Sequence, residues 1–207
     1  MIDLEHPFFF LEPLFSERGA VFHFSRYVYT PDSLFDEREF LDVSGSDLTV
    51  EWLEDAVREL KVDQELAIHS NVTIDNRTWH IPMIDFAADR LATHKLDRVR
   101  AFLPPRVFTS MAFFYSGRSF HAYSSTLLSP KDWLGFLGRL LLINPKDGET
   151  IVDSRWVGHR LIAGYCSLRF SNNSHHYLGV PKKVGIRGLL ESRTGSPVEA
   201  LDSPRNH

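Results

Sequence analysis

The sequence predicts an α+β fold, a mixed and largely antiparallel sheet with helices packed on it. Segments of two-residue apolar periodicity come in neighbouring pairs joined by short polar turns, at Asp75-Asn76 and at Ser116-Gly117-Arg118, which is the pattern of hairpins. Segments with apolar residues three and four apart lie between those pairs, the order expected of helices packed on a largely antiparallel or mixed sheet. The third observation is composition: 43% hydrophobic residues, with 16 Phe and 4 Trp among 207, supply a core and leave no case for disorder in the body of the chain. That length suits one domain. Residues 1–185 read as that domain, and 186–207, rich in Gly, Ser, Pro and charge, read as a flexible tail.

Taken in order, residues 1–30 mix aromatic and polar groups, as in Ala20-Val21-Phe22-His23-Phe24-Ser25-Arg26-Tyr27, and predict a strand or two before a turn or helix start at Thr30-Pro31-Asp32-Ser33. Leu53, Ala56, Val57 and Leu60 then recur at helical spacing, with Asp47 or Thr49 as the cap. Leu66–Ile74 and Arg77–Phe86 form the first hairpin, and by strand parity Ile81, Met83 and Asp85 share a face. Ala87–Phe102 reads as a helix stopped by Pro104-Pro105. The second hairpin spans 108–128. Ser129 then caps a helix with Pro130 at its first position and a buried stripe of Trp133, Phe136, Leu137, Leu140 and Leu141. Asn144–Gly148 ends that helix, Glu149–Asp153 reads as a strand, and Gly164–Phe170 as another.

Charge and cysteine count narrow the function. The net charge of −4 gives no global signature for nucleic acid, so such contact must come from a local patch, for which Arg155, Arg160, Arg169, Lys182 and Lys183 are candidates. A single cysteine, Cys166, excludes an internal disulfide and any cysteine-based zinc site and fits a reducing cytoplasm. The opening MIDLEHPFFFLEPLF carries acids and two prolines, unlike a signal peptide, and no run approaches the ~20 apolar residues of a membrane helix. A cytoplasmic protein with no membrane contact is expected.

The chemistry-bearing residues sit at strand ends. Asp85 closes Ile81-Pro82-Met83-Ile84-Asp85 and Asp153 closes Thr150-Ile151-Val152-Asp153. Carboxylates so placed suit Mg²⁺, which takes oxygen ligands and shares its other positions with substrate phosphate and water. Each also has a plain structural reading: Asp85 as cap of the helix that follows, Asp153 as a turn acid paired to Arg155. Ser119 and His121 share one strand face beside the Gly117-Arg118 turn, a plausible grip for phosphate or simply a buried pair. Arg169 is a natural partner for a pair of phosphate oxygens. His175-His176 reads as exposed loop, since adjacent residues point apart. There is no G-x-S-x-G elbow, P-loop or dinucleotide fingerprint.

Together these pieces resemble the archaeo-eukaryotic primase (primase-polymerase) superfamily. Ile84-Asp85-Phe86 resembles its first motif, a strand ending in two acids one residue apart. Gly117-Arg118-Ser119-Phe120-His121 resembles the Ser-x-His hairpin, Ile151-Val152-Asp153 the third motif, and Arg160 with Arg169-Phe170-Ser171-Asn172-Asn173 the stretch that follows. The resemblance spans about Leu66 to Val184. It implies that Asp85 and Asp153 hold a divalent ion, Mg²⁺ or Mn²⁺, and that His121 contacts the triphosphate of a nucleoside triphosphate. Ser119 and Arg118 would support that grip, and Arg160 and Arg169 would neutralise phosphate or template in nucleotidyl transfer. One departure is plain: the second acid of the first motif would fall at Ala87. Asp89 replaces it only if the chain turns helical at once, because on a continuing strand it would lie ~13 Å from Asp85.

Three functional classes follow. The first is a metal-dependent, primase-like nucleotidyltransferase acting on DNA or RNA with an incomplete acidic site, working with a protein partner. The second is a non-catalytic nucleotide or nucleic-acid binding module of the same fold. The third is an interaction protein in which Phe8, Phe9 and Phe10 dock a partner.

Overall fold

The computed structural model describes residues 2–30, 33, 37–174, 176–185 and 189–190. In chain order the elements are α1 (Pro7–Phe15), β1 (Val21–Val28), β2 (Arg38–Ser44), a 3-10 turn at Gly45–Asp47, α2 (Val50–Arg58), β3 (Gln64–Ile74), β4 (Arg77–His80) and β5 (Met83–Asp85). There follow α3 (Thr93–Phe102), α4 (Pro105–Thr109), β6 (Met111–Tyr115), β7 (Phe120–Ser124), α5 (Pro130–Ile143), α6 (Ser154–Ala163), β8 (Ser167–Arg169) and β9 (Lys182–Val184). The α+β class holds, and every strand pairing among the described residues is antiparallel.

The strands form two sheets. The first runs β2-β1-β3-β4 and the second β5-β7-β6-β9. On the edge of β3 away from β1, β8 takes Ala67–His69 and β4 takes Asn71–Ile74. Ser70 sits at the changeover. Its N–H donates to the Cys166 carbonyl at 2.8 Å, its carbonyl accepts from Ile81 at 2.7 Å, and its hydroxyl accepts from the Cys166 N–H at 2.9 Å. One buried apolar cluster joins residues from both sheets and from α1 through α6.

The segment Arg77–Phe86 is not one strand. It breaks at Ile81-Pro82, so that β4 belongs to the first sheet and β5 to the second. Proline has no N–H to give a ladder, while its carbonyl accepts from Ser124 at 3.0 Å. Both faces are covered around the break: Ile81, Met83, Ile84 and Phe86 are all buried.

The amino-terminal reading is corrected in part. Val21–Val28 is a strand, but the aromatic run before it is α1. His6 caps that helix by accepting the Phe8 N–H on Nδ1 at 3.1 Å, and its Nε2 donates to the Phe170 carbonyl at 2.7 Å. Phe8, Leu11 and Phe15 recur at helical spacing and are buried, and Phe9 and Phe10 pack partly buried against the same cluster. Phe8 is thus core, with Phe9 and Phe10 at its partly buried margin. Of the turn expected at residues 30–33, Pro31 and Asp32 lie outside the described residues.

Elsewhere local signals and tertiary partners compete. The helices read from Thr49 and Ser129 form as expected, each capped by its hydroxyl, though Leu141 is 40% exposed and Ile143 takes its place in the stripe. The helix expected from Ala87 begins only at Thr93. The Ala87 N–H is committed to the Ile151 carbonyl at 3.0 Å and the Leu91 N–H to the Leu189 carbonyl at 2.7 Å. Glu149–Asp153 makes one bridge, Phe86 to Val152, instead of a strand, because the Asn144 side chain accepts the Ile151 and Val152 N–H groups, both at 2.9 Å. β2, α4, α6 and β9 have no counterpart in the sequence reading. The tail expected from residue 186 lies outside the described residues apart from Leu189, which is buried, and Leu190. Among the described residues no helix is long and apolar enough to cross a membrane.

Candidate nucleotide site

Where the sheets meet they leave a cavity of about 320 Å³. Asp85 and His121 enter it from neighbouring strands, as direct partners across the β5–β7 ladder. The Asp85 carboxylate and His121 Nε2 are 3.8 Å apart, too far for a hydrogen bond. Asp153 is carried to them by main chain, its N–H donating to the Asp85 carbonyl at 3.0 Å beside the Phe86–Val152 bridge. All three side chains line the cavity.

Their electrostatic settings differ. Burial, reinforced by the charge of Asp153, pushes the Asp85 carboxyl up to about 8, against the weaker pull of Arg160 and Arg169. A quarter of its side chain remains accessible. Asp85 does not cap a helix, and its carboxylate accepts no hydrogen bond from any described residue. Asp153 caps α6, taking the Trp156 N–H on Oδ1 at 2.9 Å. It is therefore a helix cap rather than a turn acid held by Arg155. His121 is pushed down to about 3 by burial and by Arg169, so its imidazole is neutral at physiological pH. Its Nδ1 is buried without a hydrogen-bond partner among the described residues.

Five arginines share the cavity wall: Arg38, Arg118, Arg155, Arg160 and Arg169. Arg169, at the end of β8, is almost wholly buried and ties the second hairpin to the first sheet. Its guanidinium donates to the Ser116 carbonyl at 2.6 Å and to the Ser171 carbonyl, and lies 4.0 Å over the Tyr177 ring. Burial lowers its pKa. Arg118 donates to the His176 carbonyl at 2.9 Å, holding the hairpin turn to the 174–180 loop, and Arg160 donates to the Ser167 hydroxyl. Ser119 faces the cavity while its carbonyl closes the turn by accepting the Ser116 N–H at 2.9 Å. On α6, Arg155, Trp156, His159 and Arg160 all line it, the i, i+4 spacing of one helix face.

The sequence profile of the Archaeo-eukaryotic primase 1D-like (AEP-like) family matches residues 44–182, about two thirds of the chain. The chain belongs to this family. The crystal structure of primase RepB' shares its fold, with a TM-score of 0.51 at 11% identity over 89% of this chain and 57% of that one. This primase-family chain thus spans less than two thirds of that neighbour. No curated protein matches the sequence.

The structure places neither position at which a second acid was expected on the cavity. Ala87 is exposed, and Asp89 is exposed and does not line the cavity. Residues 87–92 are not helical, so nothing turns Asp89 back toward Asp85. Among the described residues no group of three or more His, Cys, Asp or Glu side chains is arranged to hold a metal ion.

Two of the basic residues expected in the patch lie elsewhere. Lys182 pairs with Asp3 at 2.7 Å, and the Lys183 ammonium lies 5.9 Å from the Phe10 ring centre. His176 is exposed at the cavity rim, and His175 lies outside the described residues. Sequence reasoning missed Arg38, Tyr27 and Tyr29 on the wall, and Glu65 behind it. Glu65 is fully buried and accepts from the Ser171 hydroxyl, the Asn173 N–H and both the N–H and hydroxyl of Ser174, so it shapes the loop that carries His176 and Tyr177. The alternation Arg38, Phe40, Asp42 was the available signal for β2.

Proposed function

We propose that the cavity binds the phosphates of a nucleoside triphosphate together with a divalent ion, Mg²⁺ or Mn²⁺, as a primase-family site for nucleotidyl transfer on DNA or RNA. The observation that carries this is the convergence of five arginines on one cavity in a chain whose net charge is −4. Such a concentration is costly without an anion to neutralise it. Arg169 and Arg160 are the buried members and meet the phosphates deepest in the wall, while Arg118 and Arg155 stand nearer the surface. Neutral His121 offers an N–H to a phosphate oxygen, and Ser119 a hydroxyl beside it.

Asp85 and Asp153 would supply two carboxylates to one ion. Burial, and after it the charge of Asp153, raises Asp85, and a cation would offset both. Two carboxylates suffice for Mg²⁺ or Mn²⁺ when phosphate and water fill the other positions. Bound there, the ion would neutralise phosphate charge and polarise the α-phosphorus for attack by a hydroxyl. With alanine at position 87, the pair does not supply the bridging carboxylates of a two-ion site, so weak or absent primer extension is expected alongside nucleotide binding. A protein partner supplying what this chain lacks belongs to the same reading.

Titration calorimetry with a nucleoside triphosphate and Mn²⁺ tests it. Heat of binding is expected, lost in His121→Ala and in Asp153→Asn, which keeps a capping side chain. Absence of heat with any nucleotide and either ion would overturn the assignment. A primer-synthesis assay then separates catalysis from binding.

A further inference from the structure

In the first sheet β2 is an edge strand: it pairs with β1 on one side, and no described strand takes the other. An open edge offers its N–H and C=O groups to another chain, and proteins commonly blunt it with Lys, Pro or a bulge. β2 reads Arg38-Glu39-Phe40-Leu41-Asp42-Val43-Ser44, with neither Lys nor Pro, and its register with β1 runs unbroken. Phe40 stands on it 59% exposed.

Beside that edge, between β2 and α2, lies a groove of about 500 Å³. α2 is anchored on β1, with the Trp52 ring 4.8 Å from that of Phe24 and Glu59 on Arg26 at 2.5 Å. Leu41, Val43, Trp52 and Ala56 give the groove an apolar floor, and Asp42, Asp55 and Glu59 stand exposed around it. Arg26 is the one cation among its described lining residues, and Glu39 at 3.4 Å shares it with Glu59. The acidic character extends along the chain: residues 38–59 hold seven acids against two arginines, an excess larger than the −4 of the whole chain. No described residue lines both this groove and the nucleotide cavity.

We propose that this edge and groove dock an extended segment of a partner protein, in which Lys or Arg alternates with apolar residues, as an added strand beside β2. Main-chain hydrogen bonds along the edge supply affinity and alternate side chains supply specificity. Successive side chains of the added strand point to opposite faces. Those on the α2 side lay their aliphatic stems over Leu41 and Val43 and carry basic ends to Asp55 and Glu59. Those on the other side pack apolar groups on Phe40. Charge selects this occupant. A nucleic-acid strand would bring phosphates against the acids, and a second copy pairing through its own β2 would bring Asp42, Asp55 and Glu59 against their counterparts, both of them repulsive. The proposal stands apart from the nucleotide reading of the cavity.

Fluorescence anisotropy with a labelled peptide of about eight residues alternating Lys and Val, long enough to pair along β2, tests the docking. This peptide is expected to bind and its Glu–Val counterpart to fail. Asp55→Asn combined with Glu59→Gln should weaken binding about three- to thirtyfold, the loss of two exposed ion pairs. Phe40→Ala should weaken it too, with the thermal melting of the parent chain because Phe40 is more than half exposed. N-methylating alternate amides of the peptide deletes its donors along one edge only, so one of the two sets should abolish binding and the other spare it. Failure of the Lys–Val peptide to bind, equal binding of both charge types, or equal binding of both N-methylated sets overturns the proposal. So does a dimer of the chain alone, seen in sedimentation and dissociated by Phe40→Ala, which would assign the edge to a second copy.

Discussion

The segments ending at Asp85 and Asp153 are near-copies in sequence, each an apolar run closed by an acid, and they lie side by side in the fold. Their carboxylates nonetheless do different work. Asp153 takes the Trp156 N–H and so starts α6. The Asp85 carboxylate takes no hydrogen bond from the described residues and is held at about 8 by burial and by Asp153 itself. The first acid stabilises the fold whatever else it does, and the second is tolerated at a cost. The difference teaches that a carboxylate at a strand end carries a functional signal only when the fold leaves it unsatisfied. Asp85, not Asp153, bears that mark.

The largest expected effect breaks the comparison at Asp85. Between pH 4 and 8 the folded chain holds a proton on this carboxyl that the unfolded chain has released, so stability falls as pH rises through that window. Asp85→Asn should therefore raise stability, by on the order of 3 kcal/mol at pH 8 and close to nothing at pH 4, allowing for the carboxyl's partial access to water. Denaturant melts at the two pH values check this, and a destabilised variant at pH 8 would refute the account.

Asp153 should answer in the opposite sense. Asp153→Ala is expected to cost about 1 kcal/mol for the lost cap, and Asp153→Asn only a few tenths, measured by the same melts. If both leave stability untouched, the capping role is wrong.

A smaller effect sharpens the pairing of the two acids. Because Asp85 is protonated near neutrality, Mn²⁺ binding should release up to about one proton at pH 7 and fewer at pH 9. Calorimetry in buffers of different ionisation enthalpy reads that count, and Asp85→Asn should release none from this site.

A last effect, confined to acid pH, concerns His121, held at about 3. The unfolded chain takes up a proton near pH 6.5 that the folded one refuses, so the wild type loses stability as pH falls from 6.5 toward 3. His121→Gln should lack this acid-side loss. Between pH 8 and 6 the triphosphate affinity of the wild type should show no gain from an imidazolium.

Much of this fold was legible because local signals and tertiary demand agreed. The hairpin turn at Asp75-Asn76 takes positive φ at both residues, as its sequence invites. Ser129 and Thr49 cap the helices they announce. The rest was hidden for specific reasons. Pro82 signalled a break, but only the second sheet explains where the chain goes next. Asp153, with Trp156 and Arg160 following four residues apart and Gly164 at positive φ, describes α6 in hindsight, but the apolar run before it pointed to a strand. The Asn144 side chain then took the N–H groups a strand would have used. Asp85, His121 and Asp153 were found through their pattern. Arg38 and Glu65 reach the site through strand neighbours far away in sequence, and no local rule exposes that.

The crossing at Ile81-Pro82 carries one more consequence. Asp85 stands on one sheet with Asp153 bonded beside it, Arg38 and Arg169 stand on the other, and two residues of main chain join the strands behind them. The gape between the walls is thereby gauged by covalent geometry, with little left for side chains to adjust. Lengthening that joint by a single glycine would spread the cationic wall from the anionic one without altering any residue that faces a ligand.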